Sequence, residues 1–270
     1  MQNNVKIAFI GGGNMAQALI GGLADKLTAA ANIHVVDINE AALAALRDKF
    51  GVSTATAAGD AVAASDVIVL SVKPQQMREV VATLKPLVKQ QLVLSIAAGI
   101  RAADLSRWLN GHTAIVRTMP NTPALVGKGI TGAVAMGGVS ASQQQTADAI
   151  LRAVGDTVWL DDEGKIDAVT ALSGSGPAYV FLLVEAMAAA GAKIGLAPEM
   201  AMQLARATVA GSGELLRQSA EPASQLRVNV TSPGGTTAAA LQVLMAADGI
   251  QPVFDKALAA ASARSKELAG

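Results

Sequence analysis

The sequence predicts an α/β fold: an N-terminal parallel-sheet domain over residues 1–160, followed by an all-α domain over 161–270. Three observations predict it. Up to about residue 155, short β-rich runs alternate with Ala/Leu-rich helical runs. The β-rich runs are continuously apolar rather than alternating, as expected of parallel strands buried on both faces. After about residue 160 the strand pattern stops and alanine-dense helical runs take over.

The elements follow in order. VKIAFI (5–10) reads as a strand and MAQALIGGLADKL (15–27) as a helix. IHVVDI (33–38) is a second strand, and NEAALAALRDKFG (39–51) a helix closed by a glycine cap. VIVLSV (67–72) and QLVLSIAAG (91–99) are strands with a helix over roughly 75–89 between them, and AIVRTMP (114–120) and ITGAVAM (130–136) add two more. The rest predicts helices at about 163–171, 176–192, 198–217, 222–228, 235–246 and 250–267. Their many small and apolar residues exceed what one small bundle would hide, which implies burial against another subunit and hence a homo-oligomer.

Composition narrows the function. The chain has 270 residues, 51% of them hydrophobic, and equal numbers of Lys+Arg and Asp+Glu, 21 each. Zero formal charge argues against nucleic acid or an anionic membrane as partner, and 3% aromatics argue against a base-stacking surface. The absence of cysteine removes disulfides, thiolate nucleophiles and Cys-ligated metals. The N-terminal stretch enters a strand without a signal-peptide pattern, so a cytoplasmic location is expected. The longest apolar run, at 179–191, is interrupted by Glu185 and reads as too short for a membrane span.

Residues 10–16 read IGGGNMA. Gly11, Gly13 and Ala16 give G-x-G-x-x-A between a strand and a helix, the pattern of a Rossmann-type dinucleotide turn. The first glycine permits the tight turn and the second lets the backbone approach a pyrophosphate. The alanine lets helix and strand pack closely, and the helix N-terminus faces the anion. Gly12, Asn14 and Met15 complete the turn. Asp37, ending the second strand, can accept from an adenosine ribose and would repel a 2′-phosphate, which favours NADH, although it can equally cap the following helix. The cofactor is NADPH or NADH. Further strand ends should line the ligand crevice of such a sheet: Ser71, Val72, Lys73 and Pro74; Ala97, Ala98 and Gly99; and Asn121 between two prolines. Lys73 reads either as a phosphate or ribose contact or as a solvated surface lysine. Asn121 reads either as an amide facing the nicotinamide or as a structural turn.

A nicotinamide implies hydride transfer. The two histidines, His34 and His112, are isolated and read as structural, so no metal site is proposed, and the Asp161–Glu163 run reads as a solvated start to the helical domain. Without an evident acid–base residue, the substrate must supply its own electrophilicity, as a protonated C=N bond does. NVTSPGGTT (229–237) is an uncharged glycine and hydroxyl loop feeding a helix. Backbone N–H groups of Gly234, Gly235, Thr236 and Thr237 can hold a carboxylate there, and the Thr237 hydroxyl can hydrogen-bond an imine nitrogen. The bland alternative is an ordinary N-capped helix.

At these residues the sequence resembles the pyrroline-5-carboxylate reductase family. The resemblance covers essentially the whole chain and rests on FIGGGNMA (9–16), SVKP (71–74), SIAAG (95–99), RTMPNTPALVGKG (117–129), ALSGSGPAYVF (171–181) and NVTSPGGTT (229–237). It implies reduction of 1-pyrroline-5-carboxylate to L-proline by NAD(P)H, a helical dimerisation domain, and dimers joined into rings such as decamers. It further implies a substrate site at Asn229 and Ser232 to Thr237, with Thr237 near the ring nitrogen as proton donor and Asn121 by the nicotinamide. Asp37 departs from relatives that carry small polar or basic residues there and use NADPH. SGSGP (173–177) reads either as part of the active-site wall or, the favoured reading, as the start of the long dimer helix. Two rivals are a β-hydroxyacid dehydrogenase, disfavoured because PAYVFLLVEAM lacks the expected lysine, and a non-enzymatic dinucleotide sensor.

Overall fold

A computed structural model describes residues 4–24 and 26–269. The elements run β1 (Ile7–Ile10), α1 (Asn14–Leu23), β2 (Ile33–Val36), α2 (Glu40–Phe50), β3 (Ser53–Ala55), α3 (Asp60–Ala63), β4 (Val67–Leu70), α4 (Pro74–Leu84), β5 (Leu92–Ser95) and α5 (Ala102–Trp108). They continue β6 (Ile115–Met119), β7 (Gly129–Ala135), α6 (Ala141–Arg152), β8 (Gly155–Trp159), α7 (Ile166–Val169), α8 (Gly176–Lys193), α9 (Pro198–Gln218), α10 (Ala223–Asn229), α11 (Thr236–Leu244) and α12 (Ile250–Leu268). A π-helical turn, Thr170–Gly174, links α7 to α8. The chain forms two compact units, residues 1–174 with 261–270, and residues 175–260.

The first unit holds an eight-stranded sheet of order β3-β2-β1-β4-β5-β6-β7-β8. Its first six strands have the 3-2-1-4-5-6 order of a dinucleotide-binding sheet. Every pair is parallel except β6 with β7. That reversal is a correction to an all-parallel sheet, and its cause is local. The link over 120–128, built on a short 3-10 turn at Thr122–Val126, is too brief for the crossover that a parallel neighbour needs.

The strands read as unbroken apolar runs because both faces are covered. Ile7, Phe9, Val67 and Val69 pack with Leu19 and Leu23 of α1 and Leu43 and Leu46 of α2. The intervening Ala8, Ile10, Ile68 and Leu70 pack with Met77 and Val81 of α4 and Leu105 of α5. Asp25, inside the expected 15–27 helix, lies outside the described residues; α1 itself ends at Leu23.

Several elements are not legible in the sequence. β3 is three mostly polar residues, and β8 (GDTVW) alternates as an edge strand does. The polar start of α6 hides its period, although Ser140 and Gln143 form a capping box. α3 is a single turn, and α5 has only seven residues. The expected 163–171 helix is instead a 3-10 turn, α7 and the π-turn in series.

In the second unit α8 and α9 are the main packed pair. Its buried apolar cluster consists of Ala188, Ala201 and Ala205, with Val184 against it. Phe181, Leu182, Met200, Leu204, Leu215 and Val243 are exposed. The 31-residue helical stretch Glu163–Lys193, with one bend at Ser175, is long and apolar enough by length and composition to cross a membrane. The expectation of too short a run is thereby corrected in length: helical turns precede α8, set off from it by a bend at Ser175.

Candidate active site

The glycine turn sits at the end of β1, where the strand order reverses between β1 and β4. Gly11 has φ +103°, and a Cβ there would stand 2.8 Å from the Ser71 carbonyl oxygen, so only glycine fits. Ser71 Oγ reaches the carbonyls of Ile10 at 3.0 Å and Gly11 at 2.7 Å, tying the end of β4 to the turn. From β2, Asp37 Oδ2 accepts from Gly12 N at 2.7 Å and Oδ1 from Asn39 N at 2.9 Å. The cap of α2 is Asn39, whose side chain accepts from Ala42 N. Asp37 therefore braces the glycine turn and leaves the helix cap to its neighbour.

Gly13 is the N-cap of α1 without a side-chain cap, and a Cβ on it would meet open space. Asn14 and Met15 open the helix, and Ala16 is fully buried against the sheet. The first-turn N–H groups of α1 have no intrahelical acceptor, an arrangement that suits a pyrophosphate. Lys73 is exposed at the N-cap of α4, Pro74 is its first residue, and Val72 is partly buried before them. Ala97 is buried, Ala98 and Gly99 are half-buried, and Gly99 has φ +73°.

Asn121 is 9% exposed and its amide is engaged at both ends. Oδ1 accepts from Ile130 N at 2.9 Å, and Nδ2 donates to the Ser173 carbonyl at 3.2 Å. Glu163 is not a solvated start to the helices. It holds Arg117 Nη1 at 2.7 Å and Ala102 N at 2.8 Å through one oxygen. This pairing is absent from the sequence-based expectations. The signal was present: an arginine inside the apolar strand IVRTM has no place to go but a buried partner.

The second unit carries the hydroxyl loop. Ser232-Pro233-Gly234-Gly235 is a hydrogen-bonded turn, with Gly235 N donating to Ser232 O at 3.0 Å and Gly234 at φ +69°. Proline second and a positive-φ glycine third make it type II. The turn consumes the Gly235 N–H. Gly235 then serves as the N-cap of α11 with no side-chain cap, so the first-turn N–H groups from Thr236 and Thr237 onward lack an intrahelical acceptor. Thr237 is half-buried and Ser232 exposed. Asn229, at the end of α10, is engaged by Glu221 and Gln225.

His34 Nδ1 lies 2.9 Å from Ser53 Oγ, and burial lowers its pKa from 6.5. His112 Nε2 lies 2.9 Å from the Gln91 carbonyl. Among the described residues no group of three His, Cys, Asp or Glu side chains could hold a metal.

The comparisons with known proteins decide what this pair of loops belongs to. Residues 163–268 match the model for pyrroline-5-carboxylate reductase dimerisation, and residues 6–99 that for NADP oxidoreductase, coenzyme F420-dependent. The pyrroline-5-carboxylate reductase of Pseudomonas aeruginosa is 48% identical over 98% of this chain and 97% of its own. The chain belongs to the pyrroline-5-carboxylate reductase family. The reductase of Haemophilus influenzae is 43% identical over 97% of both chains. Among solved structures, a Coxiella burnetii pyrroline-5-carboxylate reductase superposes with TM-score 0.93 at 40% identity, covering 99% of this chain and all of its own. A Plasmodium falciparum pyrroline carboxylate reductase with NADP bound follows at TM-score 0.84 and 30% identity, with both chains fully covered.

Proposed function

We propose that this chain reduces 1-pyrroline-5-carboxylate to L-proline with NAD(P)H, the last step of proline biosynthesis. The full-length match to a reductase at 48% identity carries the reading. Bound at the Gly11–Ala16 turn, the reduced nicotinamide supplies the hydride that goes to the imine carbon. The chain's residues do the rest. Ser71 and Asp37 hold the turn in shape, and the start of α1 takes the pyrophosphate. Ser71–Pro74 and Ala97–Gly99 line the crevice, and Asp37 faces the ribose. The turn Ser232–Gly235 and the N–H groups of Thr236 and Thr237 take the substrate carboxylate, with Asn229 shaping the loop. Thr237 Oγ1 hydrogen-bonds the ring nitrogen and hands it the proton that, with the hydride at carbon, turns the C=N bond into the secondary amine of proline; solvent then reprotonates the hydroxyl.

The enzyme works as a homo-oligomer, and five dimers closing into a decamer is the assembly we propose. The apolar stretch 163–193 lies wholly inside the region matched by the dimerisation model, which supports a subunit-facing rather than a membrane role. Neutral net charge supports the absence of a nucleic-acid partner, and the cytoplasm is the location we propose.

The test follows oxidation of NADH and of NADPH at about 340 nm with the cyclic imine and purified protein, identifying proline as product. Turnover with product supports the reading. Cofactor binding without turnover of the imine overturns it in favour of a dinucleotide sensor.

A further inference from the structure

Alternate residues at one strand end grip one segment of the chain. Arg117 and Met119 of β6, and Asn121 just beyond it, fall on one side of the sheet by the two-residue period. Arg117 holds Glu163 at 2.7 Å and Asn121 holds the Ser173 carbonyl at 3.2 Å. Between them the Met119 side chain packs on Gly174 so closely that a Cβ there would collide with its terminal methyl. On β7, Gly132 pairs with Met119 in register, and a Cβ on it would stand 2.7 Å from Val169 Cγ1. The segment from Glu163 to Gly174 thus lies along β6 and β7, fixed at both ends.

The arrangement is costly to keep. Arg117 is 3% exposed, and its Nε and Nη2 find no acceptor among the described residues. A buried, half-satisfied cation is worse for stability than an apolar side chain of similar size. The held segment begins where the match to the dimerisation model begins and ends in a π-turn, a form concentrated at functional sites. The glycine turn has a separate set of braces, Ser71 and Asp37, which among the described residues share no hydrogen bond with this clamp.

We propose that Arg117 and Asn121 are positioning residues of the reductase reaction. They fix the lead-in to the helical region that bears the Thr237 turn, so imine turnover depends on them while cofactor binding does not. The inference rests on the reductase reading, and it replaces an Asn121 that touches the nicotinamide with one that holds Ser173.

The experiment compares the unaltered protein with Arg117→Met, Arg117→Lys and Asn121→Ala at temperatures where all are folded. Cofactor Kd is read from nicotinamide fluorescence, imine kcat/KM from steady-state rates, and protection of 163–174 from amide hydrogen exchange. We expect kcat/KM for the imine to fall about tenfold or more in Arg117→Met and Asn121→Ala and to recover partly in Arg117→Lys. Cofactor Kd should stay within about twofold, and exchange should rise at 163–174 but not at 11–16. Unchanged imine kinetics in the folded variants, or a cofactor Kd that weakens in step with turnover, overturns the proposal. If the unaltered protein reduces no imine, the reductase reading fails, and with it any positioning role in that reaction; exchange then decides whether the clamp itself exists. Should Arg117→Met not fold, the same kinetic and exchange measurements on Asn121→Ala and Arg117→Lys decide between these outcomes.

Discussion

Asp37 shows how much one side chain can be asked to do. Each of its oxygens takes one backbone N–H, from Gly12 and from Asn39. A carboxylate has about four acceptor sites, so capacity remains for ribose hydroxyls, while its charge opposes a 2′-phosphate. Asp37→Ser should therefore raise the NADPH-to-NADH ratio of kcat/KM by about tenfold, and should weaken both cofactors because Gly12 loses its acceptor. Steady-state kinetics with each cofactor checks both effects. Thr237→Ala should lower kcat/KM by about ten- to a hundredfold if one hydrogen bond of roughly 1.5–3 kcal/mol is lost, with cofactor Kd unchanged. His34 gives a pH effect of defined sign. Burial lowers its folded pKa below 6.5, so the unfolded chain takes up the proton first as pH falls. Its contribution is thus intact above that value and is lost below it; His34→Asn should flatten the fall in Tm between about pH 7 and pH 5.5. At this scale the glycine turn was legible because backbone geometry dictates its residue types. The Arg117–Glu163 pair was not, because the partners are brought together only by the tertiary fold.

Between elements, the close approach of α1 to the end of α6 depends on Gly22. A Cβ there would lie 2.5 Å from the Ala153 carbonyl oxygen and 2.8 Å from Val154 Cγ1. A valine gains only about half a kcal/mol of helix propensity over glycine, whereas forcing atoms into a packed contact costs about 1–3 kcal/mol. Gly22→Val should be destabilising by the difference, measured as a lower denaturation midpoint with an unchanged m-value. Long apolar strands and helices were readable in the sequence, since burial on two faces leaves no polar interruption. β8 and α6 were not, because an edge strand and a surface helix mix their polar and apolar positions.

At the scale of the molecule, the two units are built differently. The first has two apolar layers around its sheet. The second hides only three alanines among its described residues while Phe181, Leu182 and Leu204 stand open to more than half their area. Such a unit cannot offset its chain entropy alone, so its folding is coupled to association. Tm should rise with protein concentration, and Phe181→Asp should shift the sedimentation profile toward monomers with a lower, concentration-independent Tm. The helical, oligomeric character was legible from surplus apolar surface. The division after Gly174, with the chain's last residues returning to the first unit, was not, since Ser265 meets Asp167 across most of the helical sequence.

The sheet has two open edges, and neither invites another strand. β3 offers only three residues, and β8 presents an exposed Asp156 between Gly155 and Thr157. A short edge and a charged edge both resist strand addition from a neighbouring molecule. Association is thereby left to the helical surfaces and kept away from sheet edges, where each added strand exposes the next. In a crowded solution that distinction separates a finite oligomer from a growing fibre.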